Sequence, residues 1–206
     1  FAEMNECVRR KDFDPGTVKH TINKWIIGET ELAAKSVTAA LEAYKFNDAA
    51  TDAYEFVWGQ YCDWYVELIK PLLAGDDEAA KAETRECSAW VLDQILKMLH
   101  PFMPFISEEI WQHLPGFAGS PGEGRGREPL MVSRWPRPFK ELEFPGEAVE
   151  MAAVQETIRS IRAAMRGGVD LQVRGIHSAM KAASLIEEKE AGRGKEGLIS
   201  SSPGVR

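Results

Sequence analysis

The stretch that decides the fold is residues 47–69, NDAATDAYEFVWGQYCDWYVELI. Apolar residues recur in it every three or four positions, which is the spacing of one face of an α-helix. They are Ala50, Tyr54, Val57, Trp58, Tyr61, Cys62, Tyr65, Val66 and Ile69. The aromatic residues at 54, 56, 58, 61, 64 and 65 lie too densely for a single helix face. We therefore predict a helix that neighbours contact from more than one side, at the centre of a bundle.

Capping and proline signals set the expected ends of the first two helices. Asp14-Pro15 supplies an N-cap oxygen and a proline at the first helical position, and predicts a first helix that runs to about Lys45. Gly28 within this helix costs about 1 kcal/mol relative to alanine, so packing must hold that turn. Asn47 is the expected cap of the central helix, and Pro71 is expected to kink or end it.

A third helix is predicted over residues 78–100, where apolar residues again recur at helical spacing. Pro101 and Pro104 interrupt it, and a short helix over 105–114 should follow. We expect neighbouring apolar side chains to bury the backbone that this break exposes. They are Phe102, Met103 and Phe105.

The remaining segments predict a loop, a connector and one more long helix. Residues 115–129 are rich in glycine and proline, which is typical of a flexible loop. Residues 130–146 form a connector, in which 130–132 are expected to be extended and Trp135-Pro136 rigid. A helix over 147–166 carries a packing stripe at spacings of three and four. The stripe is Met151, Val154, Ile158, Ile161 and Met165.

Four long helices with few strand signals predict an all-α helical bundle over residues 1–166, followed by an unrecognised tail over 167–206. The 206 residues are 44% hydrophobic and 28% charged, and no apolar run is long enough for a membrane span. The net charge of −7 argues against coating nucleic acid through bulk charge. The chain starts at Phe1 without a leader, so we expect a piece of a longer protein.

Known catalytic patterns are missing from the sequence, and single titratable residues have ordinary explanations. It contains no phosphate-binding glycine loop, no serine-hydrolase elbow and no Glu-x-x-His pair for a metal. Glu109 and His113, one helical turn apart, are interpreted as a surface ion pair rather than metal ligands. His100 is expected to interact with free carbonyls at a helix C-terminus. The three cysteines are interpreted as small core residues.

Two groups of basic residues could contact nucleic acid. Arg159, Arg162 and Arg166 follow one another at spacings of three and four, so they share a face of the last helix over about 10 Å. In the connector, Arg134 and Arg137 alternate with aromatic residues, a pattern that can follow a phosphate backbone and stack on a base. Solvated surface, with Trp135 plugging the bundle, remains the alternative explanation.

A set of motifs follows in a fixed order along the chain. The motifs are NKWI at 23–26, YKFN at 44–47, YEFVW at 54–58, YCDWYVE at 61–67 with Lys70-Pro71, LHPFMPFISEEIW at 99–111, Trp135-Pro136 and IRSIR at 158–162. Together they resemble the anticodon-binding helical domain of the bacterial valyl-tRNA synthetase family, which belongs to the class I aminoacyl-tRNA synthetases. The run at 99–111 suggests the Val/Ile/Leu group, and the run at 61–67 points to its valine member. The resemblance covers about residues 1–165.

This resemblance implies the tRNA-reading part of a cytoplasmic, monomeric ligase that joins valine to tRNA(Val) with ATP and Mg²⁺. The family's HIGH and KMSKS signatures and its editing domain are absent here, so the chain alone should neither activate valine nor edit. The tryptophans, with Trp58 and Trp64 at the bundle centre, are implied to be scaffold. No catalytic residue, metal or cofactor is expected in this part of the family's chain.

At residue level, the resemblance places residues 1–5 at the end of a helix that faces the anticodon. Phe1 is then a candidate for stacking on a base, with Asn5 as a polar contact beside it. Arg159 and Arg162 are candidates for backbone contacts. Two other functions stay open. One is a helical protein-interaction module that kept the fold but lost the RNA, and the other is the same domain of an isoleucyl or leucyl synthetase.

Overall fold

The computed structural model describes residues 1–10, 12–116 and 128–166, and these residues contain helices and no strand. The all-α prediction is thereby confirmed. The helices are α1 (Thr21–Glu42), α2 (Phe46–Tyr54), a π-helical segment (Glu55–Tyr65), α3 (Val66–Ala74), α4 (Glu78–Leu99), α5 (Pro104–His113) and α6 (Pro145–Arg166), with single 3-10 turns at Pro15–Thr17, Leu130–Val132 and Lys140–Leu142.

The chain divides into two compact units, residues 1–148 and 149–206, and the division falls within α6. The described part of the second unit is residues 149–166, so the predicted tail over 167–206 and most of the predicted loop lie outside the described residues. None of the helices in the described ranges is both long and apolar enough to cross a membrane.

The central helix runs without interruption from α2 through the π-helical segment to α3. Of the two outcomes expected at Pro71, a kink or an end, the end is wrong, because α3 continues to Ala74. Pro71 is exposed, so water can satisfy the carbonyl oxygen that loses its N–H partner to the proline ring. Asn47 does not cap this helix, since α2 begins at Phe46 without a side-chain cap.

The π-helical segment decides which aromatic residues are buried. In a π-helix, hydrogen bonds join residues five apart, so Phe56 and Tyr61 come to the same side, and both are buried. Trp64 is buried as predicted. Trp58, however, is 57% exposed, and the prediction that it fills the bundle centre is wrong. The prediction assumed α-helical winding, which would place Trp58 on the buried face.

The first helix begins later and ends earlier than predicted. Asp14 caps only a 3-10 turn, by accepting a hydrogen bond of 2.9 Å from the backbone N–H of Gly16. Extended backbone at Val18 separates this turn from α1, which begins at Thr21. At its other end α1 stops at Glu42, and the backbone N–H groups of the next turn bond back to the last carbonyls of the helix.

The N-cap residue of α1, His20, makes no side-chain cap bond. A carboxylate from α4 accepts hydrogen bonds from backbone N–H groups at the start of α1 instead. Glu83 accepts hydrogen bonds of 3.0 Å from the backbone N–H groups of Lys19 and His20, and one of 2.9 Å from the Asn23 side-chain amide. Burial by itself would raise the pKa of Glu83, but these hydrogen bonds lower it below the ordinary value. Glu83 therefore joins α4 to the start of α1.

Asn23 is the polar centre of the core. It is fully buried, and its amide nitrogen also donates to Thr84 Oγ1 at 3.2 Å, while its oxygen accepts from Tyr65 Oη at 3.0 Å. One side chain thus joins α1, the π-helical segment and α4. Buried polar groups are tolerated when every hydrogen-bonding atom has such a partner.

The connector crosses α1 at Gly28. A Cβ atom placed on Gly28 would lie 2.5 Å from the carbonyl oxygen of Glu143, which is closer than atoms can approach. The residue that weakens α1 locally is therefore the one that lets the connector pack against it. Lys24 and Lys35 of α1 form ion pairs with Glu147 and Glu143, at 3.3 and 3.7 Å.

The break between α4 and α5 falls where predicted, but two of the three apolar residues expected to bury it are exposed, and Phe102 is only half-buried. Phe105 is 90% exposed and Met103 45% exposed. A hydrogen bond spans the break, since His100 Nδ1 lies 2.8 Å from Ser107 Oγ. The prediction that His100 interacts with free carbonyls at the helix end is therefore wrong. The expected extended segment over residues 130–132 is also wrong, because these residues form a 3-10 turn.

Candidate nucleic-acid interface

The N-terminal segment folds back on itself rather than forming the end of a helix. Its backbone makes turns, in which the N–H of Asn5 bonds to the carbonyl of Phe1 at 3.1 Å and that of Cys7 to Ala2 at 2.9 Å. The Asn5 side-chain amide also donates to the carbonyl oxygen of Phe1, at 2.8 Å. Asn5 therefore lies beside Phe1 and holds the turn that carries it, while its role as a polar contact to RNA stays a prediction.

Phe1 lies at the edge of an open groove of about 550 Å³. The groove is formed by residues from the N-terminal segment, the π-helical segment, α4 and α5. Its apolar lining is Phe1, Ala2, Tyr61, Leu92, Ile110 and Leu114, with Glu3, Glu109 and His113 among the other lining residues. Phe1 itself is 38% exposed, so its ring can be covered by a planar group from solvent.

Arg9 holds the N-terminal segment against α4 and α5, through a buried carboxylate of α4 that Lys97 of the same helix also pairs with. Arg9 Nε lies 2.6 Å from Oδ1 of the buried Asp93, and Lys97 Nζ lies 2.6 Å from Oδ2. The guanidinium of Arg9 also lies 5.6 Å from the ring centre of Trp111, a cation–π distance. The segment that carries Phe1 is thus anchored to the core through Asp93 and Trp111.

Several single titratable residues have structural roles. His113 Nδ1 lies 2.8 Å from the backbone carbonyl oxygen of Glu109 and 3.5 Å from its Oε1, and both side chains are exposed. Cys7 and Cys87 are buried as predicted, whereas Cys62 is only half-buried. Burial raises the pKa of the Cys87 thiol to about 12, so it stays protonated and serves as a core residue. Within the described residues, no group of three acidic, histidine or cysteine side chains could hold a metal ion.

The connector presents its basic residues to solvent. Arg134 and Arg137 are both exposed. Trp135 between them is half-buried, and its indole N–H donates to Thr38 Oγ1 of α1 at 2.8 Å. Trp135 therefore fixes the connector to the bundle, and the exposed aromatic residue beside the arginines is Phe139, at 56%.

A buried carboxylate holds the end of this basic segment. Glu31 of α1 is 5% exposed, and its Oε2 accepts a hydrogen bond of 2.5 Å from the backbone N–H of Phe139. Burial raises the pKa of Glu31 to about 7; the backbone hydrogen bond opposes this rise, and the nearby Glu143 carboxylate adds to it. The connector is thus held by a group that changes charge near neutral pH.

The stability of the fold should fall as Glu31 ionises. Because the pKa is raised in the folded state, its contribution is complete below about 4.5 and is lost as the pH rises to about 7. Glu31→Gln keeps an acceptor for Phe139 and removes the charge, so it should raise the free energy of unfolding by about 2 kcal/mol at pH 8 and by much less at pH 4.5. Urea unfolding at both pH values measures this, with Glu42→Gln on the exposed end of α1 as control. A gain that is equal at the two pH values would contradict it.

The arginines of α6 lie on one side of an exposed helix surface. Arg159 and Arg162 are exposed and three residues apart, which is about 4.5 Å along the axis. Arg166 is the last helical residue, and its side chain lies outside the described part. The predicted packing stripe of this helix is wrong at its C-terminal end, where Ile161 is 54% and Met165 80% exposed.

In the first unit the predicted residues are Phe1 with Asn5 and Arg134 with Arg137, and in the second unit they are Arg159 with Arg162. Sequence reasoning missed the groove beside Phe1, because its walls come from positions far apart in the chain, such as Tyr61 and Leu92. It also missed the role of Glu31, for which a carboxylate within an apolar helix stripe was the available signal.

In comparisons with known proteins, the family model and the similar proteins all concern tRNA ligases. Residues 23–176 match the family described as the anticodon-binding domain of tRNA ligase. The valine–tRNA ligase of Caulobacter vibrioides is 53% identical over 170 residues, which are 80% of this chain and 18% of that protein. The valine–tRNA ligase of Rhodopseudomonas palustris is 60% identical over 111 residues, 54% of this chain and 12% of that protein. The chain spans less than a fifth of the length of these relatives.

Proposed function

We propose, since this chain belongs to the family of anticodon-binding domains of tRNA ligases, that it binds the anticodon stem and loop of tRNA(Val) as one part of a longer valine–tRNA ligase. The observation that carries this proposal is the family match over residues 23–176. The choice of valine rests on the relatives, which are valine–tRNA ligases 53% and 60% identical over the aligned residues.

The exposed arginines and the Phe1 ring support this proposal, the arginines as phosphate contacts and the ring as a stacking partner for a base. Arg159 and Arg162 are exposed residues of one helix, and guanidinium groups bind phosphate oxygens with two parallel hydrogen bonds. Phe1, with its partly exposed ring, can stack on an unpaired base, and stacking is the main way proteins hold bases in RNA loops. Arg134 and Arg137 supply a second set of phosphate contacts.

The chemical steps of aminoacylation belong to other parts of such a protein in this proposal. We place ATP with Mg²⁺ in a catalytic domain elsewhere in the longer chain and assign no catalytic residue here. The longer protein is proposed to act as a monomer in the cytoplasm. What residues 1–166 contribute is tRNA affinity and the choice of tRNA.

Reversing the charge of the α6 arginines tests the proposed contacts. In filter binding, Arg159→Glu with Arg162→Glu should weaken binding of tRNA(Val) about tenfold or more and reduce the salt slope by about one unit for each phosphate that loses its arginine. The matched control is Lys45→Glu with Lys70→Glu, which makes the same change in net charge on two exposed residues, one just before the central helix and one within it.

The outcomes separate phosphate contact from general charge. Equal weakening by the two double variants would mean that net charge alone determines binding and that the α6 arginines are solvated surface.

Isoleucine and leucine tRNAs serve as competitors in a second binding experiment, because a sister synthetase domain would prefer one of them. Displacement of tRNA(Val) by either, at equal concentration, would overturn the choice of valine.

A further inference from the structure

The outer side of the central helix carries two exposed aromatic rings next to acidic residues. Tyr54 is 63% exposed and Trp58 57% exposed, and they lie about one turn apart at the junction of α2 and the π-helical segment. Glu55 and Asp63 flank Trp58 along the helix, and both are exposed. We call these four residues the outer aromatic face. Exposed large apolar side chains that cluster in this way typically mark a binding surface.

The helix geometry that buries one set of aromatic residues turns this set outward. The opposite side of the same helix packs into the core through Phe56, Tyr61 and Tyr65, which are at most 7% exposed. Trp58 comes two residues after Phe56 and three before Tyr61, and at these spacings it lies on a different side of the helix from both. The exposure of Trp58 therefore follows from the winding of the helix and is a fixed feature of the fold.

The charge of this surface is unsuited to RNA. Residues 46–69 contain acidic residues and no lysine or arginine. In the described part of the chain, neither Glu55 nor Asp63 forms an ion pair. Phosphate groups that approach the two rings would meet uncompensated negative charge, which opposes binding.

We propose that the outer aromatic face is a docking site for an arginine-bearing segment of a protein partner. A guanidinium group can stack flat on the Trp58 or Tyr54 ring and at the same time donate hydrogen bonds to the Glu55 or Asp63 carboxylate. This combination uses both features of the surface, the rings and the unpaired acids. Lysine fits less well, because its compact ammonium group is more strongly hydrated and does not stack.

The inference goes beyond tRNA binding, since it assigns a different partner to a different surface. A protein that binds RNA through arginines can bind a protein partner through other residues of opposite charge. The Trp58 surface and the α6 arginines should then respond independently to mutation.

The test uses two fluorescein-labelled peptides, octa-arginine and octa-lysine, and fluorescence anisotropy with the 206-residue chain. Octa-arginine should bind several-fold more tightly than octa-lysine. Tyr54→Ala with Trp58→Ala should weaken octa-arginine binding about tenfold, and Glu55→Gln with Asp63→Asn about fivefold. The matched controls are Phe105→Ala, which removes another exposed ring, and Glu42→Gln, which removes another exposed acid. Neither should change binding more than twofold.

Two results would overturn the inference. One is equal weakening by the controls, which would show that the net charge of −7 alone attracts the peptide. The other is a loss of tRNA(Val) affinity in Tyr54→Ala with Trp58→Ala, which would show that the tRNA binds the outer aromatic face. Because all substituted residues are exposed, circular dichroism should show unchanged folding, and a variant that melts earlier is replaced by Trp58→Gln.

Discussion

Replacing Gly28 by alanine is expected to lower the free energy of unfolding by about 2–4 kcal/mol. The added Cβ would lie 2.5 Å from the carbonyl oxygen and 3.1 Å from the carbonyl carbon of Glu143. Both atoms belong to backbone, so the connector itself must move to accept the methyl group. In a helix without this contact the same substitution would stabilise, since alanine has the higher helix propensity.

Gly59→Ala is the matched control for this prediction. Gly59 lies in the π-helical segment, and a Cβ there would meet no atom within 4 Å. It should raise the free energy of unfolding by up to about 1 kcal/mol. Urea unfolding of both variants measures the contrast. If both substitutions change stability in the same direction, the close approach of the connector to α1 is contradicted.

Asn23→Ala should cost about 3 kcal/mol or more. It removes the amide that contacts Glu83 and Thr84 and the oxygen that accepts from Tyr65, and it leaves those groups without this partner in the core. Tyr65→Phe removes one hydrogen bond of the same network and should cost about 1–2 kcal/mol. Chemical unfolding gives both values. An Asn23→Ala cost no larger than that of Tyr65→Phe would rule out a central role for Asn23.

Local sequence signals were sufficient where a helix is capped and patterned by its own residues. Asp77 accepts hydrogen bonds from the backbone N–H groups of Ala79 and Ala80, and α4 begins and ends within one residue of its predicted bounds. The break at Pro101 and the start of α6 were likewise predicted to within two residues or so. In these places nearby residues determine the structure.

Sequence signals failed where the determining partner lies far along the chain. The start of α1 is set by Glu83, more than sixty residues away, and the nearer cap at Asp14 serves a separate turn. The exposure of Trp58 depends on π-helical winding, which no single residue announces. In both cases tertiary packing overrode a correct local preference.

Among the candidate RNA-contacting residues, too, those grouped by local spacing could be predicted from the sequence, and those brought together by tertiary packing could not. Arg159 and Arg162 could be grouped from spacing alone, because helical periodicity places them on one side. The groove beside Phe1 could not, since its walls meet only after α4, α5 and the π-helical segment have packed. The anchoring of that segment by Arg9 and Asp93 likewise joins distant positions.

The most direct test of tRNA reading is filter binding of the purified 206-residue chain to tRNA(Val) and to an unrelated tRNA, at low and moderate salt. We predict that tRNA(Val) binds several-fold more tightly, and that affinity falls with salt as phosphate contacts require. Equal binding of the two tRNAs would contradict a specific anticodon-binding role. Displacement of tRNA(Val) by heparin to the same extent at both salt concentrations would contradict it as well.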